Sequence, residues 1–249
     1  MKSAATTISI RRCTSHADYQ SCMDLQQAVW NFDPIDVVSH HILVVAAETG
    51  GQVLGAFDGG RMVGFAQAFA ATREGKVHLH SHMLAVLPEY QCRGIGRLLK
   101  LAQREDAMAR GIDHIEWTFD PLQTRNAHFN LARLGAIVRR YIPDFYGSSS
   151  SPLHANLPTD RLLAEWRLTS PRVQAHLTGS GAEHTAGAPV ISVPRNMDEM
   201  RRDQPARAAE IQARIRREFL QGFEEGYAAT GFAMTDTDGH YLLEPFHED

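Results

Sequence analysis

The stretch His80–Leu99 reads HSHMLAVLPEYQCRGIGRLL. An apolar run ends in a tight turn that carries Gln91, Arg93, Gly94 and Gly96, and a helical pattern starts at once. A turn of this kind aims main-chain N–H groups at one point, at the positive end of a helix dipole, where a pyrophosphate binds. Glycines at the fourth and sixth positions of QCRGIG let the backbone curl without a Cβ in the way. The alternative for the hexamer alone is a strand-to-helix turn that uses glycine for close packing. A dinucleotide fingerprint needs a third glycine where Leu99 stands, and a P-loop needs Gly-Lys-Ser/Thr; neither is present. His80 and His82 precede the turn at strand spacing, so both project to one face.

Working outward, Ile8–Arg12 reads as a strand and His16–Trp30 as a helix. Val37–Glu48 fits a second helix or a buried segment. Two strands meet at Asp58-Gly59-Gly60, a hairpin signal, and Lys76–Val86 is a further strand. Gly94–Arg110 is a helix closed by Gly111. Ile115–Phe119 is a strand, Arg125–Leu134 a helix ended by Gly135, Ile137–Tyr141 a strand and Asp160–Leu168 another. Beyond them, residues 171–189 read as a linker or mobile loop, with Thr178–Pro189 rich in small and turn-forming residues. Residues 190–249 read as a β-α-β-β extension. Its helix Gln204–Tyr227 carries Ile211, Ile215, Phe219 and Phe223 at i, i+4 spacing, a face that packs on the core or on a dimer partner. The fold class is α/β, an α+β mixed sheet.

The chain has 249 residues, 43% hydrophobic and 22% charged, with a formal net charge of -4. That balance gives no general attraction to nucleic acid or to an anionic membrane surface. Cys13, Cys22 and Cys92 form no CxxC pair, which speaks for a reducing compartment and against a disulfide framework. No apolar run approaches the ~18 residues of a membrane helix. The expected location is the cytoplasm.

LAVLPEYQCRGIGRLL resembles the acetyl-CoA motif of the GNAT superfamily of N-acetyltransferases, and the element order from about residue 8 to 170 is similar to that fold. The segment from Asn126 to Leu-Gly-Ala resembles its fourth helix, and WTFDPL (Trp117–Leu122) looks like a branch of that superfamily. The resemblance implies a GNAT-like acyl-CoA N-acyltransferase domain over residues 1–170, with a C-terminal helix and β-hairpin appended. It implies that the backbone of Leu84, Ala85 and Val86 pairs with the pantetheine arm of acetyl-CoA. Gln91, Cys92, Arg93, Gly94, Ile95, Gly96 and Arg97 would wrap the pyrophosphate, and Asn126 would touch the cofactor. HSHMLAV is also similar to the histidine-bearing strand of serotonin N-acetyltransferase, which makes His82, with His80 behind it, the expected proton acceptor. Two other readings of the pair stay open: hydrogen-bonded interior histidines, or a metal shared on one strand, for which no third ligand has recognisable spacing.

The family's usual tyrosine four residues before the helix-ending glycine is replaced here by Leu131, with Tyr141, Tyr146 and Asn130 as nearby candidates for its role. Arg93, Arg97 and Lys100 flank the turn within reach of the cofactor phosphates, with a solvated helix charge as the equal alternative for Lys100, and Trp30, Phe32 and Tyr146 either line an acceptor pocket or pack ordinarily. The arginines of the tail, interleaved with acids, read as a solvated, salt-bridged face. The expected activity is acetyl transfer to a small-molecule or peptide amine without a metal; the alternative is a non-catalytic acyl-CoA-binding module.

Overall fold

The computed structural model describes residues 7–147, 157–180 and 187–246, and the chain divides into two units, Met1–Ile115 and Glu116–Asp249. The sequence places its boundaries later, near residues 170 and 189.

In the first unit, β1 (Ser9–Arg12) leads to α1 (His16–Trp30) and α2 (His40–Glu48). The strands β2 (Gln52–Asp58), β3 (Arg61–Arg73) and β4 (Lys76–Val86) come next, then α3 (Ile95–Ala109). The four strands pair in sequence order, each antiparallel to the next. Asp58 pairs with Arg61, so Gly59-Gly60 closes the hairpin in two residues, and Gly59 takes the positive φ of 59° that such turns require. α1 starts where Ser15 and Asp18 cap each other: the Ser15 hydroxyl accepts from the Asp18 N–H, and the Asp18 carboxylate accepts from the Ser15 N–H. Arg11 holds the Asp18 carboxyl well below the usual carboxylate range. Replacing such a cap by alanine costs about 1 kcal/mol.

The segment Val37–Glu48 resolves as helix only from His40. Its Leu43 joins Tyr19, Cys22 and Leu25 of α1 in a core with Met62, Phe65 and Met83. Each large side chain buried there contributes about 1.5–3 kcal/mol. All three cysteines are free, although folding brings the Cys13 and Cys22 sulfurs to 4.0 Å, a proximity that their spacing does not show.

The two faces of this sheet are distinguishable from contacts. Phe65 of β3 meets Trp30 of α1, ring centres 6.4 Å apart, so one face lies under α1. A Cβ at Gly64 would come within 3.5 Å of Leu99, so the other lies under α3. β4 does not alternate regularly between them. Gln67 pairs with Met83 and Ala68 with Ser81, which leaves His82 as an extra residue, a β-bulge.

The second unit begins within β5 (His114–Phe119). α4 (Thr124–Ala127) runs into a π-helical turn, His128–Arg133, where the sequence reads one regular helix. β6 (Ile137–Ile142), β7 (Arg161–Arg167), α5 (Pro171–Thr178), β8 (Val190–Pro194), α6 (Met197–Asp203), α7 (Pro205–Glu224), β9 (Tyr227–Met234) and β10 (Asp238–Pro245) complete it. The strand order is β7-β6-β9-β10-β8.

Two expectations need correction. Pro171–Thr178 is helix rather than linker: Ser170 caps it by accepting from the Val173 N–H, and a proline occupies its first turn. Residues 181–186 of the same linker lie outside the described residues. The arginine-rich tail is not uniformly solvated. Arg201 is buried against Asp120 at 2.6 Å, and Arg216 binds the buried Asp160 at 2.7 Å, while Arg214–Glu218 is the expected i, i+4 surface pair. α7 packs on its own chain: Phe219 lies 5.7 Å from Tyr141 of β6 and 4.9 Å from Tyr241 of β10, ring centre to ring centre. Among the described residues no helix is long and apolar enough to cross a membrane.

Candidate active site

Twelve of the residues singled out in the sequence lie on one continuous strand, turn and helix of the first unit: His80, His82, Leu84, Ala85 and Val86 on β4, and Gln91 through Arg97 at the turn and the start of α3. Between strand and helix a single 3-10 turn, Pro88–Tyr90, reverses the chain. Gln91 ties the turn back to the strand by donating from Nε2 to the Val86 carbonyl at 3.1 Å. Tyr90 anchors it from the side, its hydroxyl donating to Asp58 at 2.7 Å, a bond that raises the phenol's pKa. The Arg93 guanidinium lies over the Tyr90 ring, 4.9 Å from its centre.

Cys92 and Gly94 both adopt left-handed backbone, at φ 60° and 80°. Alternation of this sort turns successive N–H groups to the same side. Gly94 is the N-cap of α3 and brings no side chain to satisfy the first-turn amides. The structure speaks against the close-packing reading of these glycines. A Cβ at Gly94 would meet nothing within 4 Å, and one at Gly96 would touch only Leu84 at 3.6 Å, an ordinary contact. Backbone conformation at Gly94, not crowding by the protein, selects the residue.

His80 and His82 share the α1 face, as the strand spacing predicts. His80 stands opposite Phe69 in the ladder, and the His82 ring lies 5.5 Å from that of Phe69. Burial pushes the His82 imidazole below its ordinary pKa, and nearby His80 adds to the shift. His82 is therefore poised neutral, able to accept a proton near pH 7. His78, of the same parity, packs its ring 5.6 Å from His114. Among the described residues no group of three or more His, Cys, Asp or Glu side chains gathers as a metal site.

On the opposite face Lys100 departs from both of its sequence readings. It neither flanks the turn nor sits in solvent: it is buried, and its Nζ donates to the Ser81 hydroxyl at 2.8 Å. Ser81 in turn donates to Gln103 Oε1 at 3.1 Å. Desolvation lowers the Lys100 pKa to about 7. This chain from α3 grips the residue between the two histidines, and nothing in the local sequence announces it.

The other candidates lie in the second unit. Asn126 is exposed on α4. Leu131 is fully buried. The Tyr141 hydroxyl donates to Asp160 at 2.5 Å, and burial with that bond raises its pKa far above the phenol range, so it is held as a structural group. Tyr146 is exposed, with Arg161 over its ring, and Asn130 is buried. Trp30 and Phe32, in the first unit, stack at 5.2 Å at the end of α1.

Residues 11–136, just over half of the chain, match the Acetyltransferase (GNAT) family. The chain belongs to that family, and its class is that of an acetyltransferase. Solved structures agree on the fold. The yncA protein of Salmonella typhimurium, solved with its cofactor acetyl-CoA, is 18% identical with a TM-score of 0.53, covering 66% of this chain and 95% of that one. An acetyltransferase of the GNAT family from Streptococcus pneumoniae is 16% identical with a TM-score of 0.50, covering 64% and 98%. Naa50 of Arabidopsis thaliana, solved with a bisubstrate analogue that joins CoA to an acetylated peptide, is 15% identical with a TM-score of 0.51, covering 64% and 97%. No curated protein matches the sequence.

Proposed function

We propose that this chain transfers the acetyl group of acetyl-CoA to an amine by direct attack in a ternary complex. The observation that carries the proposal is the turn Gln91–Gly94, with its two left-handed residues and the uncapped helix behind it, placed directly after a strand that bears two histidines. The turn amides and the first turn of α3 take the diphosphate, with Arg93 and Arg97 beside them. The main chain of Leu84, Ala85 and Val86 pairs with the pantetheine arm and polarises the thioester carbonyl. The family resemblance also gives Asn126 a contact with the cofactor.

His82, neutral near pH 7, takes the amine's proton through a water, and His80 stands behind it. The amine nitrogen attacks the thioester carbon; the C–N bond forms as the C–S bond breaks, and CoA leaves as thiolate. No metal takes part in this scheme, and no covalent enzyme intermediate forms. Relatives suggest the range of acceptors: Naa50 was solved with a peptide analogue, so a peptide or small-molecule amine fits the reading. Three free thiols fit a reducing compartment, and the cytoplasm is the proposed location.

A second reading, an acyl-CoA-binding module without catalysis, draws support from buried Leu131 at the usual tyrosine position and from Tyr141 being committed to Asp160. One experiment separates the two: the purified protein is incubated with acetyl-CoA and a panel of amines and N-terminal peptides, and free thiol is followed while binding is measured by calorimetry. Amine-dependent thiol release supports transfer. Tight binding with no release across the panel supports the module, and no binding at all rejects both.

A further inference from the structure

Gln67 lies in the middle of β3, between Phe65 and Phe69, and pairs with Met83 of β4. Phe65 touches Trp30 and Phe69 touches His82, so strand alternation puts Gln67 on the α1 face, beside the bulge that carries His82. Gln67 is fully buried, yet neither its Oε1 nor its Nε2 has a hydrogen-bond partner among the described residues. No other side chain among them has both of its polar atoms orphaned in this way. The contrast with Gln26 is direct. That residue is equally buried, and its amide donates to the Cys22 and Val38 carbonyls and accepts from the Val38 N–H.

A buried amide is kept without protein partners only where something else satisfies it, because an unmet donor or acceptor carries its full desolvation penalty. A water at this place would have an acceptor and a donor on the Gln67 amide, two of the two to four partners that an internal water needs, next to the bulge that carries His82.

We propose that Gln67 holds the water through which the substrate amine passes its proton to His82. Gln67 is thus a positioning residue, and the role rests on the acetyl-transfer reading above. The amine's proton moves to the water while the water's own proton moves to the imidazole, so the water is regenerated at each turnover and Gln67 itself exchanges none.

The test uses the full chain and does not need the true acceptor. Gln67→Met keeps the length and removes both polar atoms. In the wild type, a high-resolution crystal structure is expected to show an ordered water on the Gln67 amide and on a His82 ring nitrogen. Histidine ring NMR is expected to show His82 titrating at lower pH in Gln67→Met, because the imidazolium loses a hydrogen-bonded neighbour. With any amine of the panel that is acetylated, kcat falls about ten-fold, a part of the contribution of a positioned base, while the KM for acetyl-CoA is unchanged. Gln67→Glu, which keeps an acceptor at the same place, restores most of the rate.

An unchanged His82 titration in folded Gln67→Met overturns the proposal. So does an empty Gln67 amide in the wild-type crystal, which stands as the deciding measurement if the variant does not fold. A wild type that binds no acetyl-CoA rejects the function instead, and leaves the crystal and NMR readings to decide the water.

Discussion

Gly94 tests the proposed cofactor site most directly, since the structure separates three effects that a substitution there would mix. Its φ of 80° is unfavourable to any residue with a Cβ, and that Cβ would meet nothing within 4 Å. Gly94→Ala and Gly94→Gln should therefore cost about 1–2 kcal/mol of stability from backbone strain alone and still fold. Gly94→Glu adds one negative charge at the same strain and size as Gln. A carboxylate about 6 Å from one phosphoryl charge, at an effective dielectric near 20, is opposed by about 3 kcal/mol, and the second phosphoryl offsets much of what salt screens away. About 3 kcal/mol is more than a hundred-fold in affinity. Calorimetric titration with acetyl-CoA should show Ala and Gln within about ten-fold of wild type and Glu weaker than Gln by about a hundred-fold, a gap that narrows in high salt. Equal affinities of Gly94→Glu and Gly94→Gln would refute a diphosphate at this turn, whatever the absolute values.

Two further outcomes concern the titrating groups. His82→Ala should lower turnover with little change in acetyl-CoA affinity. Because burial depresses the His82 pKa, the wild-type rate should fall only as pH drops below the ordinary histidine value of 6.5; an acid limb centred above pH 7 would point to a different base. Asp160 is kept ionised, against the burial that would raise its pKa, by bonds from Arg216 and Tyr141. Arg216→Met should then cost about 2 kcal/mol, less than a wholly buried pair because the guanidinium is partly in solvent and the Tyr141 and Asp144 bonds remain. The sign is fixed by linkage: a depressed carboxylate stabilises above its unfolded value of 3.8 and loses that stability as pH falls. Without Arg216 the folded-state pKa of Asp160 moves back up, so stability should fall less between neutral and acid pH than in the wild type, which urea denaturation over a pH series measures.

The features legible in the sequence are local in origin. The β2–β3 hairpin, β4 and α3 arise from Gly59-Gly60, from the apolar run before Pro88 and from the stripe Ile95, Leu99 and Ala102, each a signal carried within a few residues. α5 and α6 have seven or eight residues each, too short for periodicity to distinguish from a loop, although Ser170-Pro171 is a helix start that composition obscures. The burial of Lys100 depends on Ser81, nineteen residues away, and that of Arg201 on Asp120, across eighty-one. Composition sees both as surface charge.

The bulge at His82 shows why the site is only half legible. Alternation along HSHML gives the two histidines one face whether or not a bulge is present, so the sequence predicts that face correctly but carries no sign of the irregularity. The extra residue matters beyond His82. It turns Met83 to the same side as His82, into the core with α1, and so hands Leu84 to the α3 side, where it meets Gly96. A regular strand would reverse those assignments and carry the main chain of Leu84–Val86 into the turn with the opposite pleat. Ser81, held by Lys100 and Gln103 from α3, sits immediately before the irregularity. Under the proposed function, the helix whose first turn takes the diphosphate therefore also braces, through Lys100 and Gln103, the strand that carries His82.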